Sequence, residues 1–269
     1  MNQDPPSKKL DFPLSEMDRG IADAIPKMPP HARWSAFNSI RHLNRSWGIR
    51  QQDPQMAWFR AITAEEEAAT AIFLSLKHKK YPGAEKIRHR DHLHKNALFP
   101  FIRAVSRAFA KISSALPPVS AYLDLKSSPP RMFTQIKVQL EDRDVPGYVT
   151  PNAPLNFFAK GSMQGNTLRP LDFSTEIAEL TSEANVTKII EHLKERANLR
   201  NRLLYANPGG CPDVSGEIEP LLKSFKDNVF LILKLYLMID PYDQQLFVQQ
   251  CLDAFLRMLG QLPAPDDES

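Results

Sequence analysis

The stretch Phe59–Lys95 reads FRAITAEEEAATAIFLSLKHKKYPGAEKIRHRDHLHK. It spells two helical arms meeting at Tyr81-Pro82-Gly83, a turn in which proline and glycine halt the first arm. Two rows of that arm repeat at helical spacing: Trp58, Ile62, Glu65, Ala69, Ile72 and Leu76, and beside it Phe59, Ile62, Glu66, Ala69, Phe73 and Leu76. Three consecutive carboxylates therefore interrupt an otherwise apolar helix. Glu65 and Glu66 are expected to face the packed side, while Glu67 falls off both rows. Asp53-Pro54 gives the arm a firm start, a capping carboxylate followed by proline in the first turn, and the helix is expected to run to about Lys79.

The second arm opens with Arg88, Arg90, Asp91, His92, His94 and Lys95, and reads as a helix from about Ala84 to Ala115. Its stripe is Ile87, Asp91, His94, Leu98, Phe101, Val105, Phe109 and Ile112, with a kink expected at Pro100 because proline lacks an amide donor. So short a connection makes the arms antiparallel neighbours. The carboxylates of one arm are thereby expected to approach the basic and imidazole groups of the other.

Outward from this hairpin, residues 1–30 hold six prolines and little periodicity, and read as an extended arm. Residues 31–116 form the first part of a helical bundle, including a helix Ala32–Trp47 with Gly48 as its stop. Residues 117–172 read as a β-containing insertion. Within it Met132–Leu140 alternates as a half-buried strand, and Leu155–Phe158 is expected to be a second, short one. Residues 173–262 complete the bundle: a helix after Asp172 reaching Tyr205, ended by Asn207-Pro208-Gly209-Gly210, then Glu217–Ile239 and Tyr242–Leu262, separated by Asp240-Pro241. Residues 263–269 are a polar tail. The fold class is mainly α, an antiparallel helical bundle with a small β-containing insertion.

The 269 residues carry a formal net charge of +3, too mild to imply a polyanionic partner by itself. Its distribution says more. From Lys77 to Lys111 there are ten Lys or Arg residues against two acids, with four histidines among them. That face is a candidate for phosphate, or simply a solvated helix surface. Two cysteines, Cys211 and Cys251, exclude a disulfide scaffold and a cysteine-rich zinc site. The N-terminal stretch has no apolar run of signal-peptide length, and Val229–Ile239 falls far short of the roughly 20 residues that span a bilayer. A cytoplasmic protein with no membrane association is expected.

The helix that ends near Tyr205 places Arg200 on an apolar stripe with Ile189, Leu193, Ala197 and Leu204. A guanidinium there needs an anionic partner, which Glu65, Glu66 or Asp91 could supply. Arg200-Asn201-x-x-x-Tyr205 resembles the terminal-helix signature of the HEPN superfamily, an arginine, a small polar residue and, after three variable positions, a histidine. Ala64-Glu65-Glu66 followed by Asp91-His92-x-His94-Lys95 resembles the AbiV-type branch of abortive-infection proteins, which pair a Glu-Glu helix with a His-and-Lys helix. The resemblance covers residues 32–115 and 172–262.

It implies an antiparallel helical bundle, often a homodimer, and RNA as partner. Many such proteins are metal-independent endoribonucleases of phage-defence or toxin–antitoxin systems, some working against an antitoxin. Carried over, Arg200 steadies the scissile phosphate and Asn201 supports it. Tyr205 stands where the family has its histidine, and a phenol with a pKa near 10 is a poor base at neutral pH. His94 or His92 would have to fill that role in an active enzyme; otherwise the chain is a degenerate relative. Glu65, Glu66, Asp91, His92, Lys95 and Arg88 complete the binding set.

Two other readings stay open: a non-catalytic interaction module stiffened by a buried charge cluster, and a small-molecule enzyme using a Glu/His pair in a pocket lined by Glu66, Asp91 and His94. No metal or other cofactor is expected. His92 and His94 are two apart on a helix and do not face one coordination sphere, and no glycine-rich phosphate loop or Glu-x-x-His pair occurs.

Overall fold

The computed structural model describes residues 12–112, 118–138, 147–158, 163–164, 167–168, 170–179 and 217–260, together with Glu191, Leu193, Glu195 and Leu203. The chain is mainly helical with a small three-stranded antiparallel sheet. Seven helices are described: α1 (Glu16–Ala24), α2 (Pro30–Ile49), α3 (Pro54–His78), α4 (His92–Ile112), α5 (Ser174–Glu179), α6 (Ile218–Ile239) and α7 (Leu246–Gly260). The strands are β1 (Val119–Asp124), β2 (Arg131–Val138) and β3 (Gly147–Val149), with a two-residue hairpin of β4 (Met163–Gln164) and β5 (Thr167–Leu168).

Helix α3 is the axis. Asp53 caps it as expected, its carboxylate accepting from the Met56 amide at 2.9 Å, with Pro54 at the first position. The helix packs on α2, α4 and α6. Alanines 57, 61, 64, 68, 69 and 71 are all buried along it, and such small side chains let the neighbouring axes approach closely. Ile62, Phe73 and Leu76 fill the remaining space, and each such side chain, fully buried, contributes about 2 kcal/mol.

Five expectations need correction. Residues 1–30 are not simply an extended arm, since Glu16–Ala24 is helical. Ser15 and Asp18 form a capping box, in which each side chain accepts from the other's backbone amide (3.1 and 3.3 Å). Pro13, Pro26, Pro29 and Pro30 flank that helix rather than interrupt it, and Pro30 opens α2, which runs on through Gly48 to Ile49. The second arm of the hairpin starts at His92, eight residues later than expected. Residues 84–86 make a single tight turn and 87–91 are irregular, because Gly83 turns the chain with φ of 85° and Asp91 caps α4 by accepting from the Leu93 amide at 2.8 Å. Leu155–Phe158 is not a strand. The Leu155 amide instead donates to Gln245 Oε1 at 2.9 Å, and Asn156 Oδ1 accepts from the Phe247 amide at 3.2 Å, so the segment is pinned to the start of α7. Finally, α7 starts at Leu246, not Tyr242.

The strand expected at Met132–Leu140 is β2, the central strand of the order β1-β2-β3, paired antiparallel on both sides. Its buried face carries Met132, Thr134 and Ile136. The Met132 carbonyl accepts from Tyr242 Oη at 2.8 Å, which fixes the sheet to the α6–α7 connection. Gln245, in that connection, is buried and joins three elements: its amide donates to Tyr81 Oη, its Nε2 to the Met238 carbonyl, and its Oε1 accepts from Leu155. Among the described residues no helix is long and apolar enough to cross a membrane.

Candidate functional site

Successive residues of an α-helix point about 100° apart, so Glu65, Glu66 and Glu67 fan out from α3. Each addresses a different helix. Glu65, buried, accepts from Asn228 Nδ2 of α6 at 3.0 Å. Glu66, also buried, faces α4: its Oε2 lies 2.8 Å from His92 Nδ1 and 3.2 Å from Lys95 Nζ, and its Oε1 accepts from Asn96 Nδ2 at 3.2 Å. Glu67 turns toward α2. Burial pushes its carboxyl above the usual range, opposed by the Lys95 charge and by hydrogen bonds from Asn38 and Ser35. Three adjacent carboxylates thus tie the central helix to three partners.

Glu66 and His92 form a dyad. The carboxylate accepts from Nδ1 of the ring, and Nε2 is the nitrogen outside this contact. The imidazole is 49% exposed while the carboxylate is 3% exposed, an arrangement in which a buried acid orients a ring that reaches solvent. Lys95, only 11% exposed, sets its ammonium 3.2 Å from the same buried oxygen.

His94 behaves differently. Its Nδ1 accepts from the Arg88 backbone amide at 3.0 Å, and its Nε2 lies 4.0 Å from Asp91 Oδ2. Both nitrogens are turned into the 87–91 turn. Burial lowers its pKa, Asp91 opposes, and Arg88 and Lys77 lower it further. That ring stabilises the turn and is poorly placed as a base. Asp91 is its neighbour and the cap of α4, not a residue of the helix stripe.

The turn also gathers cations. His89 has its pKa lowered first by burial and then by the charges of Lys77, Arg90 and Lys95. Lys77 from the end of α3 therefore shares one electrostatic environment with Arg88, Arg90 and Lys95. The Arg88 and Arg90 side chains are exposed, as is the ring of His92. The hairpin so presents a cationic turn that leads into the helix opened by His92.

Arg200, Asn201 and Tyr205 lie outside the described residues. Of the other expected site residues, Glu66, His92 and Lys95 are brought into direct contact, Asp91, His94 and Arg88 form the adjoining turn, and Glu65 faces α6. Among the described residues, no group of three or more His, Cys, Asp or Glu side chains is placed to hold a metal ion.

A second polar cluster was not anticipated. Asp240, whose side chain is fully buried at the end of α6, accepts from Ser75 Oγ at 2.7 Å and lies 2.5 Å from His31 Nε2. His31 stacks on His78, with ring centroids 3.7 Å apart. The acid here sits between serine and histidine rather than behind the histidine, so this is not the order of a serine nucleophile relay. Nothing in the sequence joins residues 31, 75, 78 and 240, and of the four only Asp240 carries a local signal, the helix break at Asp240-Pro241.

Comparison with protein-family models, with curated proteins and with solved structures finds no match to this chain.

Proposed function

We propose that this chain is a HEPN-like, RNA-directed protein, a metal-independent endoribonuclease in which the Glu66–His92 dyad takes the role that Tyr205 leaves open. The observation that carries the reading is the 2.8 Å contact between buried Glu66 and half-exposed His92, with Lys95 on the same carboxylate and exposed Arg88 and Arg90 in the turn just before. Those cations attract the phosphodiester backbone. His92 Nε2 accepts the proton of the attacking 2′-hydroxyl as the 2′-oxygen bonds to phosphorus, the P–O5′ bond breaks, and the 5′-oxygen leaves with a proton from water; Glu66 stabilises the imidazolium that forms, and Arg200 with Asn201 steadies the phosphate, as the family resemblance implies. The protein works as a cytoplasmic homodimer, in phage defence or a toxin–antitoxin pair.

The test is cleavage of single-stranded RNA, with a chelator present, by the wild type and three variants. Arg200→Ala and His92→Ala are expected to lose at least about a hundredfold in rate, while His94→Ala keeps most of it in the folded fraction. Equal cleavage by wild type, Arg200→Ala and His92→Ala, or none by the wild type, overturns the nuclease reading.

One observation favours a second reading, a non-catalytic interaction module. Both oxygens of Glu66 are occupied, by His92, Lys95 and Asn96, as in an ion cluster that only joins α3 to α4. On that reading His92→Ala lowers stability and leaves every RNA readout unchanged.

A further inference from the structure

Helix α2 carries three arginines and two histidines along Pro30–Ile49 and no acidic residue. Arg41 and Arg45 stand one helical turn apart, and both are exposed. The register of α2 against α3 brings a third arginine to them. Ser46 Oγ donates to the Ala57 carbonyl at 2.7 Å. Three residues back along α2 and three forward along α3, the antiparallel pair sets half-buried Arg60 beside Leu43, next to His42. All three guanidinium groups are close enough for their charges to act on the His42 ring, whose pKa they and burial lower to about 4.

Other cations of the chain are balanced. Arg50 pairs with Glu219, Lys95 with Glu66, and Lys226 with Asp18 and Asp227. Among the described residues Arg41, Arg45 and Arg60 make no ion pair and no side-chain hydrogen bond. The acids nearest Arg60 along α3 are committed elsewhere. Asp53 caps the helix on the Met56 amide, Glu65 faces Asn228, Glu66 faces α4, and Glu67 accepts from Asn38 and Ser35. Like charges one turn apart destabilise a helix, and an anion seated among them removes that cost. His42 Nδ1 is shielded from solvent and has no hydrogen-bond partner, a condition that a bound ligand relieves. Three guanidinium forks match a phosphate group, whose oxygens accept paired N–H bonds. A carboxylate, with two oxygens, is too small to engage all three.

We infer that Arg41, Arg45 and Arg60, with His42 beside them, form a binding site for a phosphate group, borne by an RNA strand or by a small phosphoester. The site lies on the α2–α3 flank, apart from the hairpin turn, and does not depend on the RNA reading.

Thermal unfolding and titration calorimetry of the full chain with inorganic phosphate, at constant ionic strength, test this. Phosphate is expected to bind saturably, one per chain, and to raise Tm with the logarithm of its concentration, whereas chloride does not. The imidazole NMR signals of His42 are expected to shift with phosphate. Arg41→Gln with Arg45→Gln changes exposed residues only and is expected to weaken phosphate at least about tenfold, as is Arg60→Gln. Arg88→Gln with Arg90→Gln leaves phosphate affinity unchanged. Competition reads the source: single-stranded RNA with a 5′-hydroxyl end displaces phosphate if the site takes a strand, and only a nucleoside monophosphate does so if it takes a small phosphoester. No saturable binding by the wild type, a silent His42, or undiminished affinity in the Arg41/Arg45 double variant overturns the site. So does loss of binding in the Arg88/Arg90 variant, and so does displacement by neither competitor, which marks an adventitious ion only.

Discussion

Glu66 Oε2 stands 2.8 Å from His92 Nδ1 across the α3–α4 interface, and Lys95 Nζ reaches the same oxygen at 3.2 Å. One buried carboxylate thus orients an imidazole and neutralises an almost buried ammonium. Removing it leaves Lys95 without its partner in a poorly solvated position, and breaking a buried pair from one side is costly. Glu66→Ala is expected to destabilise the chain by about 3 kcal/mol, read as a lower urea midpoint at unchanged slope. A loss below about 1 kcal/mol would show that water replaces the carboxylate easily.

His42 supplies an acid-side prediction. Burial and the charges of Arg60, Arg45 and Arg41 lower its pKa from 6.5 to about 4. The unfolded chain therefore binds a proton between pH 6.5 and 4 that the folded chain refuses. The contribution of His42 is present above pH 6.5 and is lost as pH falls through 4. His42→Gln should flatten the fall in Tm over that window, and an unchanged profile would assign the acid sensitivity elsewhere.

Tyr81 makes the alkaline counterpart. Burial raises its phenol to about 12, against the hydrogen bond from the Gln245 amide and with the Asp243 charge. Its contribution is complete below pH 10 and disappears as pH rises through 12. Ultraviolet titration should show one tyrosine ionising near the upper end of that range, and Tyr81→Phe should remove it from the spectrum.

Asp240 holds α6 against α2 and α3 through His31 and Ser75. Ser75→Ala deletes a donor to a fully buried carboxylate and is expected to cost about 1–2 kcal/mol. Equilibrium denaturation checks it; a neutral effect would mean that His31 alone satisfies the acid.

Much of the fold could be read locally. Asp53-Pro54 announced α3 because a cap and a first-turn proline act within one turn of chain, and the alternation from Met132 announced β2 because its periodicity faces a single core. Helix α1 was hidden by the proline count around it, although Ser15 and Asp18 carried a capping box in plain sight. The start of α4 was misplaced because apolar spacing continued through Ile87 while Gly83 and the Asp91 cap had already decided otherwise. Glu65 and Glu66 were legible as inward-facing from the helical period. That Glu67 reaches Ser35 and Asn38, or that Asp240 meets His31 at a separation of 209 residues, depends on which helices become neighbours, and no local pattern records that.

Engagement of RNA by the cationic turn of the hairpin is tested most directly by the salt dependence of binding to single-stranded RNA. Arg88→Gln with Arg90→Gln removes two exposed charges, yet leaves the Arg88 amide free to hold His94. If the turn carries phosphate, wild-type affinity falls steeply with salt, and the double variant binds at least about tenfold more weakly with a log–log slope shallower by about 1.4, roughly 0.7 for each charge removed. Wild-type protein that does not bind RNA, or a double variant with the same affinity and slope, would contradict it.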